Sequence, residues 1–356
     1  MMNVWGLCII LAFTSASQEP VQVFLSKENI TGFNPTNDTR NYWCFRIPQL
    51  LALPSGTLLA FAEGRADGCR PDVHTNRPIV VRASLDAGKT WGPISIAGPA
   101  VPNAGTNYPG AYLRDEKTIA LRYGLSNGTV LETTSTDDGY SWSNPVEASQ
   151  PGGGVKCGSA WPKMMPNGHV ILPCAGGTAR SEDGGRSWTV SSKKIQYGNG
   201  TNVRGIGEMM PVPDGRAATS LTMMIRAGSH SGWMNHAIAK SDDAGDTWGP
   251  AVLLPLVGTT CEGSIGRNAS APGGQVLLAA TNGANRYRLG RGNMSVFSLD
   301  EATPGAQPVS RLDVWPDAAG YSDFAQVGGL NGPVMLLFEG GGGIYDYGIK
   351  IASILL

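Results

Sequence analysis

The chain alternates short apolar runs with turn-forming residues. GTLLAFAEG, PIVVRAS, HVILPCAGG, QVLLAATNG and PVMLLFEGG each hold a few consecutive apolar residues and end on glycine or serine. An apolar run of about four to eight residues, closed by turn residues, is what a strand buried inside packed sheets presents. No segment sustains the period of an amphipathic helix over many residues. The pattern predicts an all-β chain with many tight turns.

One turn recurs. SLDAGKTW at 84–91, STDDGYSW at 135–142, SEDGGRSW at 181–188 and SDDAGDTW at 241–248 share the form S-x-D-x-G-x-[TS]-W, with starts 51, 46 and 60 residues apart. The residue types suit a hairpin. Asp accepts hydrogen bonds from nearby main-chain N–H groups, Gly takes the positive φ of a tight turn, and Trp is expected to pack the turn onto its own sheet. The spacing fits one four-stranded antiparallel sheet per repeat, and residues 18–356 at roughly 50–57 residues per sheet make about six. The expected fold is therefore a six-bladed β-propeller in a single domain over 18–356. A further segment near Ser298 and Asp300 lacks the Gly and Trp and is read as decayed or absent. In a propeller the innermost strands converge on the axis, so residues distant in sequence meet at one mouth. The repeat argues fold, not chemistry.

Composition narrows the function. Charged residues are 15% of the chain and the net charge is −1, so no field of one sign draws it to nucleic acid or an anionic membrane. Glycine (49) and proline (24) fit frequent turns. Trp5 to Phe13 is apolar and is followed by Ser15, Ala16 and Ser17, which predicts a secretory signal over 1–17 despite an n-region without Lys or Arg. The alternative is a buried first strand. No other apolar run is long enough to span a bilayer as a helix. The expected destination is the secretory pathway, extracellular or lysosomal. Five cysteines remain after Cys8; the expected pairs are Cys44 with Cys69 and Cys157 with Cys174, leaving Cys261 free, although spacing alone does not fix connectivity. N-x-S/T sequons at Asn29, Asn37, Asn127, Asn199, Asn268 and Asn293 suit a glycoprotein. The His and Cys residues show no metal-ligand spacing, and no cofactor is expected.

FRIP at 45–48 precedes GTLLAFAEGR, and both stand ahead of the four turns. Together they resemble the exo-α-sialidase (neuraminidase) family, whose Asp-box, or bacterial neuraminidase repeat, has this form. The resemblance runs over roughly 42–350 and is nearest to animal and bacterial members. It implies a site for sialic acid, an anion with a carboxylate on its anomeric carbon. Arginine grips a carboxylate bidentately, and a tyrosine activated by a glutamate avoids the repulsion that a carboxylate nucleophile would meet. By resemblance, Arg46 in FRIP, Arg226 in TMMIR and Arg291 in RGNMSV bind the carboxylate. Arg65, ending AFAEGR, lines the same pocket. Asp72 in GCRPDVHTNRP is the acid/base, with Asp67 as the alternative. Tyr321 in AGYSDF is the nucleophile, Glu208 in GIGEMMP activates it, and Glu339 in LLFEGG orients Arg46. Arg286 and Arg288 lie close to Arg291 and could be mistaken for it. His74 could tune Asp72 or be an ordinary loop residue. Trp161 either lines the aglycone side or packs.

Three functions compete. The first is hydrolysis of terminal α-linked sialic acids from glycoproteins, gangliosides or oligosaccharides, with retention through a tyrosyl intermediate. The second is transfer of sialic acid to an acceptor sugar at the same site. The third is a non-catalytic sugar-binding propeller, which predicts a broken constellation.

Overall fold

A computed structural model describes residues 13–15, 19–69, 76–152, 157–203, 208–227, 236–256, 261–271, 274–281, 291–300, 307–329, 332–341 and 347–355. Among them there is no helix, and six antiparallel blades form a β-propeller. Blade I runs Cys44–Ala52, Leu58–Arg65, Ile79–Ser84, Ser95–Gly98. Blade II runs Thr106–Leu113, Ile119–Leu125, Val130–Ser135, Val146–Glu147, and blade III runs Lys163–Met164, Val170–Cys174, Gly177–Ser181, Thr189–Val190. Blade IV is Met209–Pro213, Leu221–Arg226, His236–Ser241, Val252–Leu253, and blade V is Ser264–Asn268, Gln275–Thr281, Met294–Asp300, Gln307–Trp315. Blade VI takes Ala318–Gln326, Val334–Gly341 and Tyr347–Ile354 from the end of the chain, and Val21–Phe24 from its start as the outermost strand. The N-terminal segment thus closes the ring. Its Val23 and Phe24 are fully buried, and Phe24 stacks on Phe45 of blade I at 5.0 Å. Phe13–Ser15 pairs in parallel with Arg311–Asp313 at the outer edge of blade V; residues 1–12 and 16–18, most of the expected signal segment, lie outside the described residues.

Each Asp-box joins the third and fourth strands of blades I to IV, and its Ser is the last residue of the third strand. In the first box Gly88 N–H donates to Ser84 Oγ at 2.9 Å and Thr90 N–H donates to Asp86 Oδ1 at 2.9 Å. The other three boxes repeat these bonds. The expected positive φ at the glycine holds in all four, and the residue before it is also left-handed: Ala87, Asp138, Gly184 and Ala244.

The tryptophans do not simply pack onto their own sheets. Trp142 meets Phe61 of blade I edge-on at 5.8 Å, the Arg122 guanidinium of blade II lies over Trp188 at 5.3 Å, and Trp248 Nε1 donates to Thr178 Oγ1 of blade III at 3.3 Å. The box glycines face the same way. A Cβ on Gly88 would press on Met335 and Ile351 of blade VI, and one on Gly139 would strike Leu59 of blade I. The box therefore rivets its blade to the preceding one. The reason is geometric: the turn ends lie where neighbouring blades meet, so an apolar ring there buries between sheets.

Both expected disulfides, Cys44–Cys69 and Cys157–Cys174, are present, and Cys261 is a free, buried thiol. Ser298 and Asp300 end the third strand of blade V, the position that the boxes occupy in blades I to IV; residues 301–306 lie outside the described residues.

Candidate active site

The innermost strand of a blade is its first, and in blades I to III one irregularity lies within this strand or just before it. Ile47, Tyr108 and Trp161 have φ of 56°, 52° and 49°, and each is followed by proline. Bulky residues in this conformation are rare, and the residue before proline is further restricted, so each site stores strain of roughly 1–3 kcal/mol that the surroundings must hold. Proline has no N–H for the ladder. The register slips between Arg46 and Gln49, between Arg122 and Gly124 opposite Asn107 and Gly110, and between Ala319 and Ser322 of blade VI. A bulge frees main-chain N–H groups, and buried ones need acceptors.

Buried glutamates supply those acceptors. Glu339 takes the N–H of Ile47 at 2.9 Å and of Tyr321 at 3.1 Å, while gripping Arg46 through Nε at 3.0 Å and Nη2 at 3.1 Å. Glu63 takes the N–H of Tyr108 at 3.0 Å and pairs with Arg65 Nη2 at 2.7 Å. Gly320 is required beside Glu339: a Cβ there would lie 2.0 Å from Oε2.

These bulges aim side chains at the axis. Tyr321 Oη donates to Glu208 Oε1 at 2.5 Å. Arg226 forms an ion pair with Glu208 Oε2, and its Nη1 lies 3.4 Å from Tyr321 Oη. The Arg46 and Arg291 guanidiniums stand 5.3 Å and 5.8 Å from the centre of the Tyr321 ring. Residues from blades I, IV and VI, together with Arg291 just before the third strand of blade V, thus enclose one phenol. Trp161 is fully buried and stacks nearly parallel to Tyr321, centroids 6.4 Å apart, so it packs behind that ring rather than lining an aglycone side.

Arg65 is buried at the end of its strand, held by Glu63 and by the Cys69 carbonyl at 3.0 Å, and linked to the other groups through Glu63 and Tyr108. Asp72 and His74 lie outside the described residues, as do Arg286 and Arg288. Asp67 is described: its Oδ1 accepts from buried Arg77 at 2.8 Å and 3.1 Å.

The electrostatics favour an anion. Burial raises the Tyr321 phenol well above its ordinary range, and Tyr108 and Glu208 add to this, so the resting phenol is protonated. Arg226 loses by burial but gains more from Glu208, and its charge is secured. Behind the site sits Glu262, almost fully buried; its Oε1 has no hydrogen-bond partner among the described residues, and Oε2 accepts only the Ser322 N–H at 3.4 Å. Burial first, then the charge of Glu208, pushes its carboxyl well above the usual carboxylate range. Among the described residues no cluster of His, Cys, Asp or Glu could hold a metal ion.

Sequence reasoning missed Tyr108, Glu63 and Glu262. A signal existed for the first. The Ile47-Pro48 step of FRIP recurs as Tyr108-Pro109 and Trp161-Pro162, once for each of blades I to III.

The model of the BNR repeat-like domain matches residues 56–334. The chain belongs to this family. Among curated relatives it is 25% identical over 334 residues to a sialidase of Clostridium perfringens, covering 78% of this chain and 81% of that one. It is 26% identical over 390 residues to a sialidase of Micromonospora viridifaciens, covering 94% of this chain and 57% of that protein's length. Its fold matches that of the NanB sialidase from Streptococcus pneumoniae with a TM-score of 0.73 at 14% identity, over 95% of this BNR-family chain and 71% of the other.

Proposed function

We propose that this chain is a glycoside hydrolase, an exo-α-sialidase that releases terminal α-linked sialic acid from glycoproteins, gangliosides or oligosaccharides. One observation carries the proposal. Three arginines surround a buried phenol whose hydroxyl donates to Glu208 at 2.5 Å. Cations beside a protonated nucleophile and its base suit a substrate that brings its own negative charge to the reacting carbon. The sialidases among its relatives point the same way.

Arg46, Arg226 and Arg291 would clamp the substrate carboxylate. As the glycosidic C–O bond breaks, the Tyr321 oxygen bonds to the anomeric carbon and its proton passes to Glu208. Because burial disfavours a free phenolate, bond formation and proton transfer belong to one step. Asp72, by its place in the sequence, would protonate the leaving oxygen and then take a proton from the water that releases the sugar with net retention. Passage through the secretory pathway, with residues 1–17 as its signal, belongs to the same proposal.

The test is hydrolysis of a 4-methylumbelliferyl sialoside across acidic to neutral pH, with and without excess lactose. Free sialic acid as the main product is expected. Sialyllactose as the main product would replace hydrolysis by transfer, and no turnover at any pH would leave only a sugar-binding propeller.

A further inference from the structure

Glu208 serves two tyrosines. The Tyr108 hydroxyl lies 3.1 Å from Oε1, the oxygen that Tyr321 contacts at 2.5 Å. The other oxygen, Oε2, belongs to Arg226. Tyr108 comes from a different blade, and its position is over-determined. Its N–H is held by Glu63, its ring meets Trp161 edge-on at 5.9 Å, and its backbone keeps a left-handed φ of 52° ahead of Pro109. A strained conformation held this tightly beside a reacting pair is the kind that has a function. Nothing in the packing of the ring requires the hydroxyl. Phenylalanine would fill the same space against Trp161.

We infer that Tyr108 is a positioning residue for Glu208, a second phenol that keeps Oε1 aimed at Tyr321 in both protonation states of the carboxyl group. This rests on the sialidase mechanism above. Before attack, Glu208 is a carboxylate and Oε1 accepts from both phenols. During attack the Tyr321 oxygen–carbon bond forms, the glycosidic bond breaks, and the Tyr321 proton moves to Oε1. Tyr321 then has no hydrogen left to donate. A hydroxyl both donates and accepts, so Tyr108 rotates its hydrogen away and accepts from the new Glu208 O–H. When water releases the sugar, the proton returns to Tyr321 and Tyr108 donates again. Without Tyr108 the protonated carboxyl group would keep Arg226, a donor with no acceptor atom, on its far oxygen and would lose the phenol that accepts its new hydrogen.

The test is a double-mutant cycle on the intact chain with an aryl sialoside. Tyr108→Phe is expected to lower kcat roughly ten- to a hundredfold, the effect of one hydrogen bond to a charged group, with KM within about twofold. Its melting temperature should match wild type. In a Glu208→Gln background, Tyr108→Phe should change kcat by less than about twofold, because the hydroxyl acts only through the carboxyl group. Wild-type kcat in Tyr108→Phe would overturn the inference. So would a full, additive loss in the Glu208→Gln background, which marks a general packing role. If Glu208→Gln alone is as active as wild type, the mechanism beneath the inference fails instead, and the two failures are told apart by that single variant.

Discussion

At the scale of single residues, the site is organised by buried carboxyl groups rather than by its arginines. Glu339 carries four hydrogen bonds from Arg46, Ile47 and Tyr321, so it fixes a cation and the nucleophile's backbone together. Glu262 is the exception, a carboxyl group with one oxygen that has no partner among the described residues. Because burial raises its pKa, the folded chain binds this proton more tightly than the unfolded chain does. The stability it allows is present at low pH and is lost as pH rises from the ordinary value of 4.5 toward the raised folded value. Glu262→Gln removes that dependence. Its melting temperature relative to wild type should improve between pH 4.5 and neutrality by about 2 °C or more, read by thermal melts at both ends. An identical difference at both pH values would mean that Glu262 is ionised in the fold. Arg46, Glu208, Tyr321 and Glu339 were legible because they stand in a recognisable order with local context such as FRIP and GYS. Glu63, Tyr108 and Glu262 were not, because their partners are N–H groups freed by bulges or residues on other blades.

At the scale of elements, the Asp-box was legible because its bonds close within five residues: Ser84 to Gly88, Asp86 to Thr90. The partner of its Trp was not, since that depends on how blades dock. Hydrogen bonds from the Thr90 side chain, then its N–H, hold Asp86 down at about 2, and those from Ser187 hold Asp183 below its ordinary value. In Asp137 and Asp243, burial opposes the shift but the hydrogen bonds outweigh it. A carboxylate with a lowered pKa stabilises the fold above the ordinary value of 3.8, and this contribution is lost as pH falls toward the folded value. Asp86→Asn should therefore melt below wild type at neutral pH, and the gap should close as pH falls from 3.8 to about 2. A gap independent of pH would show that the turn needs the shape of Asp and not its charge.

At the scale of the whole molecule, the ring turns a chain of short strands into one site. Arg46 and Glu339 are 293 residues apart in sequence yet form one ion pair, because the first and last blades are neighbours. The repeat spacing was enough to number the blades. It could not show that Val21–Phe24 closes blade VI, because four residues carry too little pattern to reveal a partner at the far end of the chain. Closure holds the first and last blades together and so fixes the distance from Arg46 to Tyr321.

The central claim is that this ring presents Tyr321 as a nucleophile to a sialoside. The most direct measurement is peptide mass spectrometry after treatment with a 2,3-difluorinated sialic acid, whose glycosyl-enzyme hydrolyses slowly. The account predicts one sialosyl adduct per chain, on the peptide carrying Tyr321, absent in Tyr321→Phe. An active enzyme whose adduct lies on another residue, or that forms none, would contradict it.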